Sequence, residues 1–226
     1  MSDDSASMDC ARTTLAVLAG GEGRRMGAPK GDLAIDGRPI LERLLDRLNW
    51  PGPTLLVTAP GRQHPPGWRR FAVEATDAVA GEGPLRGLLT ALEHASTDEV
   101  VVLAVDMPNI TPAPLAWLAA NLRANPTAAA VMVQRPERGS SQLDPLPAAF
   151  RAVVAEGIVR ARLHDRKLAL HGLAEEHQVL VVPAPSDWPA DFWANLNTPS
   201  DLAAYQHASP VRSHSMAIPA APAGSE

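Results

Sequence analysis

Cysteine is all but missing from this chain: Cys10 is the one thiol in 226 residues. That excludes a disulfide scaffold and a zinc–thiolate site, and it fits a reducing compartment. No apolar run approaches the length of a membrane-crossing helix. The opening residues, Met1-Ser-Asp-Asp-Ser5, are acidic and polar, unlike a secretory signal. An excess of positive charge is absent too, since 20 Lys and Arg face 25 Asp and Glu for a formal charge of −5. Nucleic-acid surfaces are typically basic, so that balance argues against one. There is no internal repeat. The expectation is a cytoplasmic, soluble protein with no nucleic-acid and no membrane partner.

What is present is apolar content of 46%, enough for a sizeable core in one large domain. Residues 1–12 read as a flexible leader. Residues 209–226, with Pro210, Pro219 and Pro222, read as a disordered tail. Between them, strands alternate with helices. Leu15 to Ala19, Thr54 to Thr58 and Glu99 to Val105 are short apolar runs of the buried-strand kind. Arg69 to Glu74 is expected as a third strand and Ala128 to Val133 as another. Ile40, Leu41, Leu44, Leu45 and Leu48 recur at helical spacing behind Pro39. Further helices are expected from Gly83 and over Pro112 to Leu122. The pattern predicts a single α/β domain over 13–208, a three-layer α/β/α sandwich with a Rossmann-like, mostly parallel sheet. In such sheets ligands sit at the carboxyl ends of strands, where the glycine-rich turn, Asp77 and Asp106 all fall.

That turn runs from Leu18 to Lys30, with Gly20, Gly21, Gly23 and Gly27 interleaved with Arg24, Arg25 and Lys30. Glycines admit sharp turns and close approach of backbone to ligand, and successive N–H groups make a nest for anions. With three cations added, the stretch reads as a polyphosphate loop. It is not a P-loop, because Lys30 follows Pro29 and precedes Gly31. Nor is it a dinucleotide fingerprint, because counting from Gly21 the third glycine position holds Met26.

Asp106 ends a run of five apolar residues, Val101 to Val105, and precedes Met107-Pro108. A carboxylate there is costly unless paired, which suits a Mg²⁺ ligand working with substrate phosphates. A turn or helix-cap role is the other reading, with Thr111 the nearer cap for the helix that follows. Asp77 is either a site carboxylate or an Asx-turn residue in a glycine-rich loop. Gly83 and Pro84 open a helix whose N-terminus can accept an anion or a base edge. Arg24 faces either the site or water, and Glu82 reads as solvated. Arg160, Arg162, Arg166 and Lys167, with His164 and His171, form either an anionic-acceptor surface or a solvated basic face.

The loop resembles the signature Leu-x-Gly-Gly-x-x-x-Arg-Met-Gly-x-x-Lys of nucleotidyltransferases of the sugar-nucleotide type, and within them the molybdenum cofactor guanylyltransferase (MobA-like) family. Asp77 ahead of Gly83-Pro-Leu-Arg-Gly87, Asp106-Met-Pro108 and Asn195-Leu-Asn-Thr-Pro199 are similar to that family's later segments, and Asp144 to Phe150 to its Pro-Leu segment. The resemblance implies GMP transfer from GTP to a molybdopterin-type cofactor, with Mg²⁺ and release of pyrophosphate. It implies Lys30, Arg25 and Asp106 as catalytic residues, Asp106 holding the metal. It assigns the nucleotide to Leu18, Ala19, Gly20, Gly21, Lys30, Thr58, Asp77, Gly83, Pro84 and Asp106, and the acceptor side to Asn195 and Asn197. Molybdoenzyme maturation proteins are the protein partners it suggests. Two stretches depart from the family pattern: Thr58 stands where an Asn is usual, and Glu156 to Arg162 does not match the Gly-x-Arg-Ser-like element. The alternatives are cytidylyl or sugar-phosphate transfer on the same fold, or a non-catalytic nucleotide-binding protein.

Overall fold

The structure is a computed structural model that describes residues 10–21, 23–136 and 141–208. The expected leader and tail fall largely outside those residues; Cys10 lies within them and is buried. In chain order the elements are β1 (Thr13–Leu18), β2 (Ala34–Ile35), β3 (Arg38–Pro39), α1 (Ile40–Leu48), β4 (Thr54–Thr58), β5 (Val73–Thr76), α2 (Gly83–His94), β6 (Glu99–Ala104), α3 (Pro112–Ala124), β7 (Ala130–Pro136), β8 (Ser141–Arg151), α4 (Ala152–His164), β9 (Val179–Pro183) and α5 (Pro199–Ala208).

Seven strands form one sheet in the order β5-β4-β1-β6-β8-β7-β9. β1 pairs in parallel with both β4 and β6, with Leu15 opposite Thr54 on one side and Val101 on the other. Only β8 runs against its neighbours, so the sheet is mostly parallel, as the alternation of elements predicts. Leu15, Ala16 and Val17 are fully buried, and successive side chains point to opposite faces, so both faces of the sheet are covered. Burial of each large aliphatic side chain contributes about 1.5–3 kcal/mol. α1 turns Ile40, Leu41, Leu44, Leu45 and Leu48 inward and ends at Asn49, whose left-handed backbone donates its N–H to Leu45.

β7, expected over Ala128 to Val133, begins two residues later at Ala130, and β9 is a strand the sequence reading does not include. Two further strands differ from expectation. The third begins at Val73 and not at Arg69, because Trp68–Arg70 form a helical turn. β8 carries two prolines, Pro145 and Pro147, in the middle of the sheet, where a missing N–H breaks the ladder. The break is accommodated by a bulge: Met132 pairs with Ala148 and the next residue, Val133, with Asp144, leaving 145–147 out of register.

Candidate active site

The glycine-rich loop closes on itself before it reaches the site. Gly23, at φ +58°, accepts the N–H groups of Met26 and Gly27, and a side chain there would place its Cβ 1.8 Å from the Ala28 carbonyl oxygen. Only glycine fits. Lys30 N–H then returns to Gly21 O at 3.4 Å, which brings the lysine back beside the end of β1. Gly31 is buried against Ala19 and Pro65.

A cavity of about 500 Å³ lies at the carboxyl ends of β1, β4 and β6. The loop contributes Gly20, Gly21, Arg24 and Lys30, and the start of α2 contributes Gly83, Pro84 and Gly87. Leu18, Asp77 and Asp106 complete the walls nearest the cations. An α2 N-terminus and a cationic loop facing one space form an anion-receiving chamber.

Two carboxylates sit in it with unused acceptor capacity. Asp106 follows β6 in a turn and is 6% exposed; its Oδ2 holds Lys30 Nζ, and its Oδ1 is buried without a partner. Asp77 is anchored through its backbone N–H to Thr58 O at 2.9 Å, and its Oδ1 is likewise buried and unpartnered. Burial pushes the Asp77 carboxyl above its ordinary range, with the Thr90 hydroxyl and the Arg86 charge drawing it partly back. Buried unpaired oxygens are costly, and both belong to residues that line the cavity, where a ligand's donors or a cation would relieve that cost. Among the described residues no three His, Cys, Asp or Glu side chains gather as a metal cluster. Asp106 therefore suits a hard cation such as Mg²⁺, which takes one or two carboxylates and completes its sphere with phosphate oxygens.

The other end of the chain reaches the same point. Asn197 Oδ1 accepts from Lys30 Nζ at 2.8 Å, and Leu196 N–H donates to the Asp106 backbone oxygen at 2.9 Å. Thr198 caps α5 by accepting from Asp201 N at 3.2 Å, and the Asp201 carboxylate receives the N–H groups of Asn197 and Thr198 in return. Those bonds, the Asn197 backbone contact foremost, hold the Asp201 carboxyl below its ordinary range.

Leu18, Gly20, Gly21, Lys30, Asp77, Gly83, Pro84 and Asp106 are thus brought to one cavity, with Asn197 at its lysine. Four expected residues stand apart. Ala19 is buried, donating its N–H to Val57 O with its side chain toward Gly31. Thr58 lies between the cavity-lining Val57 and Ala59, and strand alternation sends its hydroxyl across to Thr76 at 3.2 Å. Arg25 is exposed and its charge bears on Asp201, while its neighbour Arg24 takes the cavity wall. Asn195 lies in an irregular segment, residues 194–198, and its amide donates to Trp193 O at 3.0 Å.

Several contributors escape a reading of the sequence. Arg62 lines the cavity just past β4, where a cation at a strand's carboxyl end is the available signal. Leu146 enters the wall from the β8 bulge. Glu82 is not solvated; it takes both Nε and Nη2 of Arg86, at 2.8 and 2.5 Å, and Arg166 at 3.2 Å, tying α2 to the end of α4. Arg162 is 6% exposed and paired with Glu176, and Arg160 pairs with Glu93 and Glu156. Arg162 is a structural partner, while Arg160 and Arg166 stay exposed with glutamates against them.

Comparison with known proteins gives concordant matches. The family described as MobA-like NTP transferase domain matches residues 15–181. A probable molybdenum cofactor guanylyltransferase of Deinococcus radiodurans is 34% identical over 190 residues, covering 84% of this chain and 92% of the relative. The molybdenum cofactor guanylyltransferase of Vibrio cholerae is 30% identical over 195 residues, covering 85% and 91%. Among solved structures, molybdopterin-guanine dinucleotide biosynthesis protein A of Archaeoglobus fulgidus superposes with a TM-score of 0.70 at 28% identity, covering 86% and 97%.

Proposed function

The chain belongs to the MobA-like NTP transferase family, and on that premise we propose that it transfers GMP from GTP to a molybdopterin-type cofactor with release of pyrophosphate. The observation that carries the reading is the cluster of Lys30, Asp106 and Asn197 at a cavity whose two buried carboxylate oxygens lack partners. A phosphate oxygen of the acceptor attacks the α-phosphorus of GTP, the bond to the β-phosphate's bridging oxygen breaks, and pyrophosphate leaves. Such transfers need positioning and charge stabilisation more than covalent help.

Each side chain has a task on that scheme. Lys30 places a mobile point charge at the phosphates, and Arg24 and Arg62 offer planar donors from the loop and from the end of β4. The α2 N-terminus at Gly83 and Pro84 adds its dipole. The unpaired Oδ1 of Asp77 accepts N–H donors of the purine edge, which favours guanine over bases that present fewer donors. Asp106 would hold the divalent cation, Mg²⁺ in this reading, which supplies charge neutralisation of the triphosphate. Asn197 holds Lys30, and Asn195, two residues before it, is the other residue of the acceptor side in this reading. Arg25 acts from outside the cavity through Asp201.

No helix among the described residues is long and apolar enough to cross a membrane. We place the reaction in the cytoplasm, with the product passing to molybdoenzyme maturation proteins. The test is pyrophosphate release in Mg²⁺ with each of the four NTPs, with and without molybdopterin, beside equilibrium titration of the same nucleotides. GTP should lead in both. CTP ahead of GTP would move the chain to cytidylyl transfer, and tight GTP binding without release would make it a binding protein.

A further inference from the structure

Asp106 already has a cation. Lys30 Nζ lies on Oδ2, while Oδ1 of the same carboxylate is buried without a partner. The lysine is gripped from its far side by Asn197 Oδ1 at 2.8 Å. It is also confined: the Lys30 side chain is 22% exposed and that of Asp106 8%. Among the described residues no three His, Cys, Asp or Glu side chains gather around it, so a divalent cation finds no ready-made cage there. A divalent ion reaching Asp106 by itself would meet a carboxylate already neutralised, with an ammonium beside it. Like charges at such separations repel strongly when partly screened from water.

We propose that Lys30 is a resident stand-in for the divalent cation, so that metal enters only together with the triphosphate. The phosphate oxygens do two things at once: they give the ammonium a new counter-ion, and they supply the ligands that a lone carboxylate cannot. Lys30 then exchanges Asp106 for phosphate by a swing of its flexible stem, and Asn197 keeps it within reach. The identity of those phosphates rests on the nucleotidyl-transfer reading; the competition between Lys30 and the metal rests on geometry alone. Nucleotide and metal affinities should consequently be coupled, each raising the other by the same factor. The exchange also separates two tasks that the motif assigns to one lysine. It silences the metal ligand until substrate arrives, and it delivers charge afterwards.

Mn²⁺ is the probe, followed by the electron paramagnetic resonance signal of the free ion, with the full chain and no nucleotide. Wild type should bind it weakly. Lys30→Met, which keeps the length and removes the charge, should bind it about tenfold tighter, the equivalent of one modest ion pair. Lys30→Gln provides a second neutral variant should methionine disturb the fold, and thermal melting establishes that each is native. Adding Asp106→Ala to either variant should abolish the gain. Folded Lys30→Met and Lys30→Gln proteins that bind Mn²⁺ no better than wild type would overturn the proposal, as would a gain that survives loss of Asp106. No turnover is measured, so a failed guanylyl-transfer assay beside a positive Mn²⁺ result removes the acceptor assignment and leaves this inference standing.

Discussion

The side-chain amide oxygen of Asn197 lies 2.8 Å from the ammonium of Lys30, across 167 residues of chain. One end of that bond sits in the glycine-rich loop and the other just before α5. Asn197 is fixed from behind, because its backbone N–H donates to the Asp201 carboxylate at 2.9 Å. Its role is to aim the lysine. Loss of a hydrogen bond to a charged group costs about 1.5–3 kcal/mol, so Asn197→Ala should lower kcat roughly tenfold to a hundredfold. Steady-state kinetics with both substrates decide the matter. A rise confined to the acceptor's KM would make Asn197 an acceptor contact, as the family resemblance implies.

Asp106→Ala should remove turnover, by about a thousandfold or more, while the protein remains folded and keeps weak affinity for GTP. The carboxylate is buried, but replacing it also removes an unpartnered oxygen, so the sheet should tolerate the change. Circular dichroism and pyrophosphate release on the same preparation test this. Undiminished release would remove Asp106 from the metal.

Asp77 makes a prediction about pH. Burial raises its carboxyl above the ordinary 3.8, so the folded state favours the protonated form. Its contribution to stability is complete below the unfolded-state value and fades as pH rises through the raised folded-state value. Asp77→Asn should therefore raise the melting temperature at neutral pH, with the difference shrinking toward pH 4. The same variant should weaken GTP more than CTP. Equal melting curves at both pH values would show that the carboxyl pays no desolvation cost.

Thr58 separates resemblance from placement. Its hydroxyl is spent between β4 and β5, on Thr76 Oγ1 and the Ala75 carbonyl oxygen, so Thr58→Val should cost about 1 kcal/mol of stability and leave GTP affinity unchanged. Urea denaturation and nucleotide titration read the two quantities separately. A weakened GTP affinity would place the hydroxyl at the ligand.

Much of this molecule was legible in the chain, and the reasons divide cleanly. β1, β4 and β6 announce themselves because strands buried on both faces must be continuously apolar. The loop was legible because glycine and charge together have few other uses. β5 begins later than expected because it is an edge strand, with Ala75 inward and Val73 exposed, so its own pattern is faint beside the apolar run Phe71 to Val73. β8 was read only as a Pro-Leu segment, since prolines argue against a central strand and nothing local foretells a bulge opposite Met132 and Val133. The partners of Lys30 and Arg162, and the Arg166 that joins Arg86 on Glu82, are distant in sequence. The sequence reads Glu82 as solvated and Arg162 as part of an open basic face, because only the fold reveals which opposite charges meet.

The position of Asn197 also fixes the timing of competence. The sheet is complete when β9 ends at Pro183, and every cavity wall lies earlier in the chain. The hold on Lys30 arrives later, with the segment locked by Thr198 and Asp201. During synthesis, which runs from the N-terminus at about 5–20 residues per second, a chain can emerge with all seven strands of the main sheet and its cavity lining before it owns the residue that aims the lysine. Chemistry is the last thing such a nascent chain acquires, and it arrives together with Phe192, Trp193 and Leu196, so clipping after β9 would strip buried core residues along with the hold on Lys30.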